Sequence, residues 1–205
     1  MKSLDELFAA ERALHREGVA LVCGVDEAGR GPLAGPVCAA AVILPEDCML
    51  PGLDDSKKLT EKRREALYDL IRERAEAYGI AFATVSEIEE MNILRAAMLA
   101  MDRAIAQLDP APSLALVDGN TTRGISVPAR PVIGGDASCA CIAAASVLAK
   151  VTRDRYMRQL AETYPQYGFE KHKGYGTKAH YAAVDAYGLC PEHRPSFFKK
   201  YYAKR

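Results

Sequence analysis

What this sequence lacks narrows it quickly. No apolar run is long enough to cross a bilayer. Its first residues, Met1-Lys2-Ser3-Leu4-Asp5-Glu6-Leu7, carry acids where a secretory leader would carry an apolar stretch. A cytoplasmic protein without a membrane partner is the expectation. There is no C-x-x-C pair: Cys23, Cys38, Cys48, Cys139, Cys141 and Cys190 are scattered, mostly in apolar runs where a free thiol packs as a small hydrophobe. His172, His180 and His193 are not arranged as zinc ligands either. Disulfides, a structural zinc site and a catalytic cysteine drop out together. Surplus charge is missing too: 27 basic and 27 acidic residues disfavour, by their sum, a phosphate-rich partner.

The distribution of charge says more than the sum. Basic groups gather at 57–64, 150–158, 171–178 and 194–205. One such run is ordinarily a solvated face; together they flank the acidic motifs described below. At 205 residues, 49% of them apolar, the chain can bury one sizeable core. No repeat, low-complexity tract or long linker divides it. One domain over 1–205 is expected, with about 166–205 as a helical C-terminal extension.

The periodicity predicts an amphipathic helix over 4–17, a strand over 19–25 ending at Asp26, and a second buried strand over 37–44. The turn Gly29-Arg30-Gly31-Pro32 would join the two as a hairpin. A helix over 60–78 is capped by Thr60, carries Leu67, Leu70, Ile71, Ala75 and Tyr78 on one stripe, and stops at Gly79. A strand over 80–85 follows. Ser86 and Glu89 match a capping box opening a helix to Leu108, before Pro110. Short strands end at Asp118 and, through Val132 and Ile133, near Asp136. The run 142–151, apolar on nearly every side, reads as a buried helix, and shorter helices are expected at 179–187 and 196–203. Alternating strands and helices make this an α/β chain with a mixed sheet.

Acids recur in one setting. Asp26-Glu27, Asp118 within Val117-Asp118-Gly119-Asn120, and Asp136 within Gly134-Gly135-Asp136 each follow a strand. Taken singly, Asp118 reads as a turn residue and Asp136 as a helix cap. Adjacent acids after an apolar strand are costly unless solvated, paired or metal-bound. Carboxylates converging at one sheet edge would suit hard cations such as Mg²⁺ or Mn²⁺ and two-metal phosphodiester cleavage. A rival lies in Gly29-Arg30-Gly31-Pro32-Leu33-Ala34, which fits the dinucleotide-binding glycine pattern. That pattern should open a helix, whereas 36–44 is strand-like, and two carboxylates there would repel a pyrophosphate.

The motifs together resemble those of one family, ribonuclease HII, the type 2 ribonucleases H. They are Gly24-Val25-Asp26-Glu27-Ala28-Gly29-Arg30-Gly31-Pro32-Leu33-Ala34-Gly35-Pro36-Val37, Asp55-Ser56-Lys57-Lys58-Leu59, the two acidic segments above, Ala143-Ala144-Ala145-Ser146-Val147-Leu148-Ala149-Lys150-Val151-Thr152-Arg153-Asp154, and His172-Lys173-Gly174-Tyr175-Gly176-Thr177. They stand in family order and span roughly 22–198.

The resemblance implies a ribonuclease H-like mixed sheet flanked by helices, with the C-terminal extension over one side of the site. It implies Asp26, Glu27, Asp118 and Asp136 as catalytic, metal-binding carboxylates for two Mg²⁺ or Mn²⁺ ions, Asp26 bridging both. Gly29, Arg30 and Gly31 would sense a ribonucleotide through backbone groups at its 2′-hydroxyl, the feature that separates RNA from DNA. Tyr175 would pack on the neighbouring sugar, and Lys57, Lys58, His172 and Lys173 would contact phosphates. Lys150 and Arg153 either join them or pair with structural acids such as Asp154. The implied reaction cuts the RNA strand of RNA–DNA hybrids, and cuts 5′ of single ribonucleotides in duplex DNA, leaving a 3′-hydroxyl and a 5′-phosphate. The implied roles are removal of misinserted ribonucleotides and of primer remnants, by a monomer. One departure stands out: Gly135 occupies a position where family members commonly carry a basic residue. Arg194-Pro195-Ser196-Phe197-Phe198 resembles the family's C-terminal segment, whose aromatics would dock on the core or, alternatively, touch a sliding clamp. Three other readings stay open: the sister ribonuclease HIII, although only 25 residues precede Asp26 where that family carries an extra domain, a non-catalytic nucleic-acid-binding protein, and the nucleotide-cofactor enzyme.

Overall fold

The computed structural model describes residues 3–46 and 48–203. The expected first helix is two, α1 (Leu4–Leu7) and α2 (Ala9–Arg16), meeting at the buried Phe8. Then come β1 (Val22–Ala28) and β2 (Val37–Ile43), paired antiparallel as a hairpin. β1 starts later than its sequence suggests and runs through Asp26 and Glu27, so those acids stand inside the strand.

The helix after Thr60 is shorter than its periodicity predicts. The Thr60 side chain accepts from the Arg63 amide, but α3 (Glu61–Arg74) ends at Arg74 and β3 (Ala77–Ala83) begins at Ala77. Strand pairing outweighs the helical stripe: β3 lies antiparallel to β2 from Ile43↔Ala77 to Val37↔Ala83. Gly79 is therefore a mid-strand residue and not a stop. A Cβ there would lie 2.1 Å from the Ala104 carbonyl oxygen, so glycine is what lets the next layer of helix sit on the strand. The capping box is Thr84 with Glu87, two residues earlier than expected. It opens α4 (Val85–Met91), and Asn92 at φ 75° then separates α4 from α5 (Ile93–Ile105).

β4 (Leu114–Asp118) and β5 (Ala129–Val132) complete, among the described residues, a five-stranded mixed sheet of order β3-β2-β1-β4-β5. β4 runs parallel to both β1 and β5. The apolar run of the sequence lies within the long α6 (Ala140–Thr163), followed by α7 (Phe169–His172), α8 (Lys178–Tyr187) and α9 (Lys199–Tyr202). Strand alternation sorts the core into two layers. Ala40 and Val42 face α6, with α3 and Leu7 and Phe8 behind it, while Ala39, Ala41 and Ile43 face α5. A third core gathers Leu33, Met157, Phe169, Val184 and Phe198, where the C-terminal helices close over the far half of α6. Phe198 is thus a docking residue. Among the described residues no helix is long and apolar enough to cross a membrane.

Candidate active site

The parallel pairing of β1 with β4 puts Val25 beside Val117, so Asp26 and Asp118 leave the sheet side by side. Asp136 arrives from the neighbouring strand: β5 ends at Val132, and after Gly134 at φ 67° a 3₁₀ turn (Gly135–Ala137) brings the acid back over the sheet edge. The Gly135 amide donates to Asp118 Oδ1 at 2.7 Å, tying that turn to β4. Carboxylate oxygens of Asp26, Asp118 and Asp136 all lie within 4.8 Å of one another. Glu27, the fourth acid, is not in this trio. It lines the same cleft, of about 240 Å³, and pairs with Arg30 at 3.3 Å.

Three acids so close cannot all ionise freely. Burial first, then the charges of Glu27, Asp118 and Asp136, hold the Asp26 carboxyl well above the usual carboxylate range. Asp118 is raised by burial and then by Asp136. Glu27 is raised by burial against the opposing pull of Arg30. One ammonium answers them: Lys57 Nζ sits 2.9 Å from Asp136 Oδ2, and that bond pushes the lysine's own pKa upward. At the last acid, beside Gly135, the positive charge comes from Lys57. The all-oxygen donors, their mutual repulsion and an amine bound to one of them fit a hard divalent cation and no soft metal.

Beside the acids lies the glycine loop. Arg194, fully buried, spreads its guanidinium over the carbonyls of Gly29 (2.7 Å), Arg30 (3.1 Å), Pro32 (2.8 Å) and Gly35 (2.7 Å). Arg153, also buried, takes those of Pro36, Ala34 and Lys173 at 2.9–3.0 Å. With its carbonyls drawn inward, the loop keeps the amides of Arg30 and Gly31 without a protein acceptor among the described residues. Gly29 is at φ 101°, and a Cβ would lie 2.0 Å from Arg153 Nε, so the loop closes only on glycine. The Tyr175 ring, 46% exposed, faces Gly31 across the cleft.

The remaining expected contacts separate. Lys57 reaches the cleft; Lys58 leans on Asp54 at 3.5 Å. The Lys173 amine bonds the Glu170 carbonyl, and His172 is turned into the C-terminal core, its Nε2 on the Tyr167 carbonyl at 2.8 Å. Lys150 pairs with Asp154 at 2.6 Å, the structural alternative, and Arg153 does neither of the things expected of it. The residues that sequence reasoning missed are those behind the loops: Arg194, His180 and His193.

The ribonuclease HII family model matches residues 23–204. Ribonuclease HII of Paracidovorax citrulli is 58% identical over 96% of this chain and 81% of its own length. That of Geobacillus thermodenitrificans is 54% identical over 94% and 74%. Among solved structures, the ribonuclease H2 of Pyrococcus horikoshii superposes with a TM-score of 0.74 at 28% identity, covering 90% of this chain and 98% of that one. With this sheet, this acidic edge and these relatives, the chain belongs to the ribonuclease HII family of nucleases.

Proposed function

We propose that the chain is an endoribonuclease that hydrolyses the RNA strand of RNA–DNA hybrids and cuts on the 5′ side of single ribonucleotides embedded in duplex DNA. The observation that carries this reading is the convergence of Asp26, Asp118 and Asp136 at one sheet edge, against a loop with amides left to donate. Asp26, Glu27, Asp118 and Asp136 would hold Mg²⁺ or Mn²⁺, two ions in the active complex, which when bound activate the attacking water and neutralise charge on the phosphate. The chain's own groups do the rest. Arg30 and Gly31 offer amides to a 2′-hydroxyl, which DNA lacks. Tyr175 supplies a face for the adjoining sugar. Lys57, 74% exposed along its side chain, can exchange Asp136 for a phosphate. In the hydrolysis the water oxygen bonds to phosphorus as the P–O3′ bond breaks, O3′ takes a proton to become the 3′-hydroxyl, and the ribonucleotide keeps the 5′-phosphate. Removal of ribonucleotides from DNA during replication and repair, in the cytoplasm, is the role this chemistry serves.

End-group analysis tests the reading. A labelled duplex with one ribonucleotide should yield, in Mg²⁺ or Mn²⁺, one cut immediately 5′ of it with a ligatable 5′-phosphate. Cutting on the 3′ side, or equal cutting of all-DNA duplex, would overturn it.

A further inference from the structure

Three histidines scattered in sequence come together behind the Tyr175 loop, and their partners assign every ring proton. His180 is fully buried, and its Nδ1 lies 3.0 Å from the Tyr175 carbonyl oxygen, which can only accept; Nδ1 therefore carries the proton and Nε2 a lone pair. His193, 1% exposed, presents its Nε2 to that lone pair at 3.0 Å and so is protonated there. Its Nδ1 is left to accept, and does so from the Cys190 amide at 2.9 Å and the Cys190 thiol at 3.1 Å. The His172 ring stacks on His180 with centroids 4.5 Å apart; its Nε2 donates to the Tyr167 carbonyl and its Nδ1 accepts from the Gly174 amide at 3.3 Å. His180 and His193 are neutral in this pattern, because a second proton on either would set donor against donor.

We propose that His180 and His193 are positioning residues: their hydrogen-bond chain, running from Cys190 to the Tyr175 carbonyl, fixes the backbone from which the Tyr175 ring reaches into the cleft. The inference rests on the reading of Tyr175 as a substrate contact. Apolar side chains would fill this core more cheaply than imidazoles, so the polarity needs a purpose that packing does not supply. The chain ends on the residue of this loop whose side chain opens into the acidic cleft. The same segment is held from other sides: the Tyr175 amide donates to the His172 carbonyl, the Leu33 amide to the Gly174 carbonyl, and the Thr177 amide to the Tyr175 carbonyl. The Thr177 bond comes from the residue that caps α8; the His180 bond adds the register of the last segment, since α8 supplies His180 and the stretch before Phe198 supplies the His193 that bonds it. The C-terminal extension thereby sets the angle at which Tyr175 meets a sugar lying over Gly31.

The test uses the full chain with His193→Leu, which removes the donor to His180, beside His193→Gln, whose side-chain amide offers a donor at similar reach. Cleavage of duplex DNA with one ribonucleotide is measured together with amide exchange at 174–177. In His193→Leu, KM should rise about tenfold, the scale of one lost hydrogen bond, with kcat within about twofold and exchange accelerated. His193→Gln should return both readouts towards wild type. An unchanged KM and exchange in folded His193→Leu would overturn the proposal, as would a His193→Gln no better than His193→Leu. If His193→Leu does not fold, His193→Asn, whose amide falls short of His180, replaces it with the same expectations. Should the wild-type chain cut nothing, the proposed function fails on its own. The exchange data then decide the relay: acceleration reversed by glutamine supports it, and no response overturns it.

Discussion

In the acidic cleft, Asp26, Asp118 and Asp136 are packed within 4.8 Å of one another, and burial and repulsion push Asp26 and Asp118 upward. Behind the loops, Arg153, Arg194, His180 and His193 are buried as deeply, yet every guanidinium and ring nitrogen described has a partner. One region leaves a demand for positive charge open; the other meets all its demands internally. A protein tolerates the first arrangement where a ligand completes it, and uses the second to hold that site in shape. Function and stability should therefore respond oppositely to substitution in the two places.

The largest effect is expected in the cleft. Asp26→Asn should lower cleavage by about a thousandfold or more while the thermal midpoint stays level or rises, because a repelling charge is removed. A variant that is inactive because it has unfolded would break the contrast. Next comes Arg194→Met, which orphans the carbonyls of Gly29, Arg30, Pro32 and Gly35. Denaturant unfolding should show a loss of roughly 3–5 kcal/mol, against little change for Asp26→Asn.

A smaller effect lies in pH. Burial first, and then His180, pushes the His193 pKa down from 6.5 to about 4, so the unfolded chain binds its proton first. Its contribution to stability is full above about 6.5 and is lost as pH falls from there towards about 4. The cleft acids carry the opposite sign, since raised carboxyls favour the fold on acidification. The stability of wild type minus that of His193→Gln should thus fall between those values, and a flat difference would count against the neutral relay. Smallest is Lys57→Met. An exposed amine on one carboxylate is worth about 1 kcal/mol or less, so the midpoint should drop slightly in chelator and not in Mg²⁺.

How much of this is legible in the sequence depends on what each residue's role requires. The convergence of Asp26, Asp118 and Asp136 is readable because strand, acid and glycine stand together locally and the family motifs contain them. Thr60 as a cap and the buried run inside α6 are local too. The end of α3 is not, since 75–78 keep helical spacing and only pairing with β2 recruits 77–83 into the sheet. Gly79 looks like a stop until Ala104 is placed above it. Glu27 reads as a fourth acid of the site; it lines the same cleft beside Asp26 while pairing with Arg30. Arg194 and His193 look like ordinary polar residues near the end of the chain. Their meaning lies in carbonyls and rings 13 to 165 positions away, which no spacing rule connects.

The most direct measurement is cleavage of duplex DNA containing one ribonucleotide by wild type and by Asp118→Asn, in Mg²⁺, in Mn²⁺ and in chelator, with the thermal midpoint of each protein recorded. The account predicts cutting 5′ of the ribonucleotide that needs the metal and vanishes in a variant that remains folded. Cutting that persists in chelator or in folded Asp118→Asn, or none by wild type in either metal, would contradict it.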